Sequence, residues 1–209
     1  MDYSVYLVTD RKLARGRSTV EIVEAAIHGG VSCVQLREKE CSTREFIQEA
    51  LAIRELLVRH SIPLIVNDRV DVALAVKADG VHLGQNDMPC SMARQMLPDT
   101  MIIGISAESL DDAVAAEKDG ADYIGVSPVF ATPTKTDTTS PLGLKGLRAI
   151  RAAVNTPLVG IGGLDAQNAK EAIQNGADGI AVVSAIVSAR DPFLATQRLC
   201  EIVRKAKRR

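Results

Sequence analysis

The chain has 209 residues, a formal net charge of −1, 46% hydrophobic residues and only 3% aromatic ones. This length suits one domain with a substantial core, and the balanced charge argues against a nucleic-acid partner. The chain has no apolar run near the ~20 residues of a membrane span and no signal-peptide pattern. Its four cysteines share no metal-binding spacing, which favours reduced thiols in the cytoplasm.

Short apolar runs alternate with segments of helical period along the whole chain. In chain order, the predicted strands lie at 6–8, within 28–37, at 64–66, within 77–85, at 102–105, within 119–127, at 158–161 and within 175–184. The predicted helices lie at 19–28, 43–58, 70–76, 92–97, 109–118, 147–154, 166–173, 185–188 and 192–205. Helix-start signals stand at Ser42 or Thr43, at Ser109 and at Asp165.

Eight strand-helix units in strict alternation predict a parallel sheet, and eight such units close most naturally into a single compact TIM (β/α)8 barrel over residues 1–209. An open doubly wound sheet is the alternative. It would need a glycine-rich turn after the first strand, and the residues there are Thr9, Asp10, Arg11 and Lys12. The barrel predicts that chemistry gathers at the carboxyl ends of the strands.

The second strand ends in a charged run. Its alternation places Gln35, Arg37 and Lys39 on one face, and Leu36 and Glu38 on the other. Because the helix-facing side of the strand should be apolar, the first set should point into the barrel mouth. Two cations there indicate an anionic ligand, although a surface ion pair with a neighbouring glutamate is the alternative.

The third and fourth strands end in Asn67-Asp68 and in Gly84-Gln85-Asn86-Asp87. Carboxylates at neighbouring strand ends, with amides beside them, form an oxygen-rich site of the kind that Mg²⁺ prefers. Either aspartate alone would more often be a helix cap or turn residue. Their placement beside Arg37 and Lys39 favours the metal.

The last strands indicate a second anion site. Strand 7 ends in Gly160-Ile161-Gly162-Gly163, and strand 8 runs into Val183-Ser184 before a short helix. A phosphate held by the loops after strands 7 and 8 recurs in TIM barrels. The polar segment 131–142 between them and strand 6 has the composition of a lid that closes over an anion, or of a plain surface loop.

Two polar residues near the strand ends receive weaker interpretations. His82 lies inside strand 4 and is better interpreted as a hydrogen-bonded packing residue than as a ligand. Asp10 ends strand 1 and could face the mouth, but nothing pairs with it in the sequence.

These motifs together resemble the thiamin-phosphate synthase family over essentially the whole chain. The residues that carry the resemblance are Gln35-Leu36-Arg37-Glu38-Lys39, Asn67-Asp68, Gly84-Gln85-Asn86-Asp87, Thr132-Pro133-Thr134-Lys135 and Gly160-Ile161-Gly162-Gly163. The resemblance implies a TIM barrel that joins 4-amino-2-methyl-5-hydroxymethylpyrimidine diphosphate to 4-methyl-5-(2-hydroxyethyl)thiazole phosphate, with release of diphosphate. It also implies one Mg²⁺ per subunit.

The resemblance further implies a role for each matching residue. Asp68 and Asp87 would bind Mg²⁺, and the catalytic residues would be Arg37, Lys39, Ser106 and Lys135. The substrate-binding residues would be Gln35, Leu36, Arg37, Glu38, Lys39, Asn67, Ser106, Thr132, Pro133, Thr134, Lys135, Gly162, Val183 and Ser184. The expected partners are two small phosphorylated substrates, with no nucleic acid and no membrane. A homo-oligomer stays open.

Three other functions compete with the synthase. A thiazole tautomerase would handle the same thiazole phosphate but would not need Asp68, Asp87 or Lys135. A phosphosugar isomerase or epimerase barrel would share the phosphate site of strands 7 and 8. A non-catalytic sensor of thiamin precursors would require a partner surface or an appended domain, and neither is evident in the sequence.

Overall fold

The structure, a computed structural model, describes residues 1–132 and 140–208. Eight parallel strands form a closed barrel in which each strand pairs with its neighbours in chain order and β1 also pairs with β8. The strands are β1 Val5–Val8, β2 Cys33–Leu36, β3 Leu64–Asn67, β4 Gly80–Leu83, β5 Ile102–Ala107, β6 Tyr123–Val126, β7 Leu158–Ile161 and β8 Gly179–Val182. The predicted TIM barrel is confirmed.

Helices surround the barrel on its outer side. Those of the described residues are α1 Thr19–Gly29, α2 Thr43–Val58, α3 Val70–Val76, α4 Cys90–Met96, α5 Leu110–Lys118, α6 Gly143–Ala153, α7 Ala169–Gln174, α8 Ser184–Val187 and α9 Pro192–Lys207. No helix in this part of the chain is long and apolar enough to cross a membrane.

Side-chain caps mark the starts of α1, α2, α5 and α9, whereas α3, α4, α6, α7 and α8 begin without one. Ser18 and Ser42 each form a capping box with the glutamate three residues later, so α1 and α2 begin where the sequence predicts. The prediction for α7 is wrong by three residues, because the Asp165 carboxylate accepts from the Gln167 N–H in a turn and the helix begins only at Ala169. The sequence also missed a short 3-10 turn, Arg11–Leu13, which Asp10 caps.

Two separate groups of buried side chains make up the core. The larger group fills the space between the strands and the helices and includes Val34 and Leu36 of β2. The smaller group fills the barrel interior and is formed by Tyr3, Tyr6, Val8, Cys33, Ile65, Tyr123, Val159 and Ala181. Because side chains alternate along each strand, neighbouring residues enter different groups, and the interior set ends at the barrel mouth.

Tyr123 can lie inside the barrel because β5 carries a glycine opposite it. A Cβ atom on Gly104 would lie 2.0 Å from Tyr123 Cζ, so no larger residue fits there beside the ring. Gly104 pairs with Tyr123 across the β5–β6 ladder. This glycine therefore admits an aromatic ring to a barrel interior that is otherwise built mainly from small and branched residues.

Candidate active site

A cavity of about 600 Å³ opens at the carboxyl ends of the strands. Every strand of the barrel, or the segment directly after it, contributes to the lining. The lining includes most of the site residues predicted from the sequence: Gln35, Arg37, Lys39, Asn67, Asp68, Asp87, Ser106, Thr132, Gly162, Val183 and Ser184. The volume is within the range of small-molecule sites.

Five predicted site residues are not part of this described lining. Pro133, Thr134 and Lys135 lie outside the described residues. Leu36 is fully buried between the barrel and its helices, and Glu38 also points away from the cavity. The structure thus follows the alternation of β2, which separates Leu36 and Glu38 from Gln35, Arg37 and Lys39.

Glu38 lies in an environment that disfavours its charge. Its side chain is only 5% exposed, and its nearest cation is Arg11, whose Nε lies 3.6 Å from Oε1. This Oε1 atom is buried without a hydrogen-bond partner among the described residues. Burial, helped by the nearby Glu49 carboxylate, raises the pKa of Glu38. Its surroundings are those of a structural ion pair beneath the β2 end.

Arg37 is held in place by the end of β1. Its backbone N–H donates to Thr9 Oγ1 at 3.0 Å, and its guanidinium Nη1 donates to Asp10 Oδ2 at 3.1 Å. Both side chains of this ion pair are partly buried, with 24% of Arg37 and 13% of Asp10 exposed. Asp10, which the sequence left without a partner, therefore orients the arginine at the mouth.

The two predicted metal ligands lie together at the ends of β3 and β4. Lys39 Nζ lies 2.5 Å from Asp68 Oδ2, and the Gly84 N–H donates to Asp87 Oδ2 at 2.7 Å. Burial raises the pKa of Asp87, and the adjacent Asp68 carboxylate adds to this shift, while the bond from Gly84 opposes it. Two carboxylates that disfavour each other's charge are suited to a shared cation.

The charged side chains that line the cavity also suit a cation shared by Asp68 and Asp87. Among the described lining residues, Arg37 and Lys39 are the cations, whereas Asp68, Asp87, Glu108 and Asp165 are carboxylates. Asp68 and Asp87 offset Arg37 and Lys39 in formal charge, so a cation bound to these two carboxylates would leave this part of the wall positive for an anionic ligand. No group of three His, Cys, Asp or Glu side chains in the described residues forms a full ligand set. Asp68 and Asp87 are nevertheless the kind of ligands that Mg²⁺ takes, since this ion keeps waters and also binds oxygens of substrate phosphates.

The cavity floor contains a continuous row of hydrogen bonds across the barrel. Gln35 Nε2 donates to the Tyr6 hydroxyl at 2.9 Å, and the Tyr6 and Tyr123 hydroxyls lie 2.9 Å apart. His82 bridges to both sides, with Nδ1 2.8 Å from the Tyr123 hydroxyl and Nε2 2.9 Å from Ser106 Oγ. His82 is thus hydrogen bonded, as expected, but it also lines the cavity.

The opposite edge of the cavity is built from backbone. Gly162 and Gly163 adopt φ values of 94° and 63°, in the left-handed region that favours glycine. A Cβ atom on Gly162 would lie 2.7 Å from Pro128 Cβ. The first N–H groups of α8 have no partner within that helix. This edge can therefore approach a phosphate closely and donate to it.

Sequence reasoning missed several residues that line or support this cavity. Tyr6 and Tyr123 read as ordinary core residues because they stand within apolar strands. Glu108 and Asp165 follow strands β5 and β7 and could have been found from that placement, since each lies just beyond a strand end. The partnership of Asp10 with Arg37 joins residues 27 positions apart, and only the barrel pairing reveals it.

The chain is similar to known proteins over nearly its whole length. Residues 5–186 match the family model described as thiamine monophosphate synthase. The thiamine-phosphate synthase of Albidiferax ferrireducens is 54% identical over 199 residues, which is 95% of this chain and 91% of that protein. The thiamine-phosphate synthase of Chloroflexus aurantiacus is 54% identical over 203 residues, which is 97% of this chain and 94% of that protein.

The chain is also similar to solved structures. The thiamine phosphate pyrophosphorylase from Pyrococcus furiosus superposes with a TM-score of 0.91 at 43% identity, covering 98% of this chain and 96% of that one. The (S)-3-O-geranylgeranylglyceryl phosphate synthase from Thermoplasma acidophilum superposes with a TM-score of 0.72 at only 14% identity, covering 98% of this chain and 94% of that one. That second likeness concerns the fold alone.

Proposed function

This chain belongs to the thiamine monophosphate synthase family, and from that membership we propose that its barrel mouth joins an aminopyrimidine diphosphate to a thiazole phosphate. The products are thiamin phosphate and diphosphate. The observation that carries this proposal is the joint placement of Asp68, Asp87, Arg37 and Lys39 at one side of a cavity whose other side is a glycine-rich edge. One side suits a diphosphate with a divalent cation, and the other suits a monophosphate.

Catalysis of this reaction depends on the departure of diphosphate. We propose that the bond from the pyrimidine methylene carbon to the diphosphate oxygen breaks first, and that the thiazole nitrogen then attacks the resulting cation. Arg37 and Lys39 would bind the departing diphosphate, with Arg37 oriented by Asp10. A Mg²⁺ ion held by Asp68 and Asp87 would supply further neutralisation of the leaving charge. This chemistry needs charge stabilisation and orientation rather than a base.

Each substrate has its own part of the cavity in this proposal. Gln35, Asn67 and Ser106 would contact the pyrimidine. Thr132 and the backbone of Gly162, Val183 and Ser184 would hold the thiazole phosphate at the opposite edge. Because β2–β4 and β7–β8 belong to different parts of the closed barrel, the two phosphorylated groups would be bound by different walls.

Some expectations from the sequence rest on the family resemblance alone. Pro133 and Thr134 would contact substrate, and Lys135 would add a third positive charge for the diphosphate. For Lys135→Ala we expect a loss of about 10- to 1000-fold in kcat, as for removal of a preorganised charge-stabilising group. We also propose one Mg²⁺ per subunit, a single domain over residues 1–209 and a cytoplasmic location.

A direct assay tests the proposed function. The purified protein is mixed with both substrates and Mg²⁺, and thiamin phosphate and diphosphate are measured in equal amounts. Chelation of the metal should abolish both products, and added Mg²⁺ should restore them. A protein that binds the thiazole phosphate but yields no coupled product would refute the synthase and would favour a thiazole tautomerase, which can be scored by isomerisation of the thiazole alone.

Variants then test the metal site. Asp68→Asn and Asp87→Asn should each raise the Mg²⁺ concentration that gives half-maximal rate, because an amide is a weaker ligand for a hard cation than a carboxylate. Asp178→Asn is a matched control, since Asp178 carries an ion pair with Arg151 away from the cavity. An unchanged Mg²⁺ dependence in both site variants would remove these aspartates from the metal site.

A further inference from the structure

The row of hydrogen bonds on the cavity floor has a direction. Gln35 donates its amide proton to the Tyr6 oxygen, and Tyr6 is fully buried. The proton of Tyr6 therefore needs an acceptor of its own, because buried hydroxyl groups are satisfied. The Tyr123 oxygen at 2.9 Å can accept it. The other polar neighbour is the Cys33 thiol, whose sulfur is a weak acceptor.

The same reasoning continues through Tyr123 to the histidine. Tyr123 is buried and receives the proton of Tyr6, so its own proton is free to go to His82 Nδ1 at 2.8 Å. A neutral imidazole with an accepting Nδ1 carries its proton on Nε2. That Nε2 then donates to Ser106 Oγ at 2.9 Å. Because Ser106 Oγ accepts this bond, its hydroxyl proton remains available to a partner in the cavity.

The two ends of the row thus differ in polarity. At one end one N–H of Gln35 Nε2 donates to Tyr6, and Gln35 Oε1 meets no donor among residues 1–132 and 140–208. At the other end Ser106 offers a proton. Both residues line the cavity. An acceptor and a donor facing the same space match an aminopyrimidine, whose exocyclic amine donates and whose ring nitrogen accepts.

We propose that Tyr6, Tyr123 and His82 are positioning residues that fix this polarity and thereby select an amino-substituted pyrimidine over its oxo counterpart. This inference rests on the proposed function for the identity of the ligand, and on the geometry of the row for its direction. The three residues act through Gln35 and Ser106. A site that pairs both polar groups of its substrate rejects an analogue that leaves a group unpaired.

The barrel is shaped around this row. Gly104 leaves room for the Tyr123 ring, as described above, and Gly125 does the same for the histidine, since a Cβ there would lie 3.1 Å from His82 Cε1. The His82 and Tyr123 rings stack with centroids 5.5 Å apart. Two strand positions without side chains therefore hold these rings in the register that their hydrogen bonds require.

Tyr123→Phe breaks the row with the least change in shape, because only the hydroxyl between Tyr6 and His82 is lost. We expect kcat/KM for the aminopyrimidine diphosphate to fall by about 2- to 10-fold, as for one hydrogen bond, while KM for the thiazole phosphate stays within about 2-fold. Preference for the amino over the oxo pyrimidine diphosphate should fall with it. Tyr3→Phe is the matched control, since the Tyr3 ring packs on Tyr123 at 4.8 Å and its hydroxyl is outside the row.

Two amide substitutions of the histidine separate its two hydrogen bonds. A glutamine amide reaches the place of Nε2 and can still donate to Ser106, whereas an asparagine amide reaches only the place of Nδ1. His82→Gln should therefore keep more of the amino-over-oxo preference than His82→Asn, by about 5-fold or more. Equal losses in both variants would mean that the bond to Ser106 does not set the preference, and would overturn the proposal.

The direction of the row can also be read without turnover. Nitrogen-15 NMR of histidine side chains distinguishes the two neutral tautomers, and the His82→Gln spectrum assigns the His82 signals among the three histidines. We expect the Nε2–H tautomer in the wild type and a mixture in Tyr123→Phe. A wild-type His82 with its proton on Nδ1, or a Tyr123→Phe protein with unchanged substrate preference, would overturn the inference. Absence of thiamin phosphate from the wild-type assay would instead refute the proposed function and leave the NMR result standing.

Discussion

Replacing Lys39 with glutamine should change metal binding and turnover in opposite directions. In the structure Lys39 Nζ lies 2.5 Å from Asp68 Oδ2, so the lysine occupies a carboxylate that the metal would use. Without the lysine, that carboxylate is available to a cation in the free protein. The diphosphate, however, loses one of the two described cations that line its side of the cavity.

The solvent exposure of the Lys39–Asp68 ion pair determines how much tighter the variant should bind Mg²⁺. Lys39 is 53% exposed and Asp68 20% exposed, so solvent screens the pair and its worth is that of a surface ion pair. Such pairs contribute about 0.2 to 1 kcal/mol, which corresponds to Mg²⁺ binding about 1.5- to 5-fold tighter in the variant. Loss of a charge that stabilises the leaving group should lower kcat by about 100-fold.

Calorimetric titration of the free protein with Mg²⁺ measures the first effect, and steady-state kinetics at saturating Mg²⁺ measures the second. Lys12→Gln is the matched control, because Lys12 also lies 2.5 Å from a carboxylate, that of Glu40, but outside the cavity lining. It should change neither quantity. Weaker Mg²⁺ binding in Lys39→Gln would refute the reasoning, since it would show that the lysine supports the metal site instead of competing with it.

Three further changes test the fold and the electrostatics. Gly104→Ala should lower the free energy of unfolding in urea by about 3 kcal/mol, because its methyl group would overlap the Tyr123 ring; an unchanged midpoint would contradict this. Because burial raises the pKa of Asp87, competition from protons should weaken Mg²⁺ binding at a higher pH than it would at an ordinary aspartate. Calorimetric Mg²⁺ titrations across pH 4 to 7 measure this, and a loss of binding only near the ordinary pKa of aspartate would contradict it. The raised pKa of Glu38 means that its contribution to stability is full below its ordinary value near 4.5 and is lost as the pH rises through the raised value. Glu38→Gln should therefore gain stability relative to the wild type, by under ~1 kcal/mol, at pH 7 but not at pH 4.

The sequence predicted the fold well because its signals are local. Capping boxes at Ser18 and Ser42 and the alternation of apolar runs fix where elements begin, and eight alternations leave few topologies. The same periodicity predicted which side chains at the end of β2 face the cavity, and it correctly placed Leu36 and Glu38 away from the barrel mouth. The predicted start of α7 was wrong because the Asp165 carboxylate accepts a hydrogen bond within a turn instead of capping the helix. The sequence alone does not distinguish these two roles for an acidic residue that precedes an apolar run.

The interactions inside the site could not be predicted from sequence. Asp10 with Arg37 and Lys39 with Asp68 pair across neighbouring strand ends, so their partners depend on the closure of the barrel. The direction of the row through Tyr6 and Tyr123 depends on which buried oxygen already receives a proton. Neither property is a matter of residue spacing, because both arise only when separate strands are brought together.

The pairing of β1 with β8 also has a consequence for how the protein is made on the ribosome. Val5 pairs with Ile180, and Lys207 of the last helix donates to Ser4 Oγ at 2.7 Å. The first strand is therefore synthesised early but must wait for the last strand before its second side is covered. Until then the nascent chain presents an open strand edge, the kind of surface on which other chains can add. The barrel can therefore close only after the residues around Ile180 have been made, and a chain that stops earlier would keep this strand edge open.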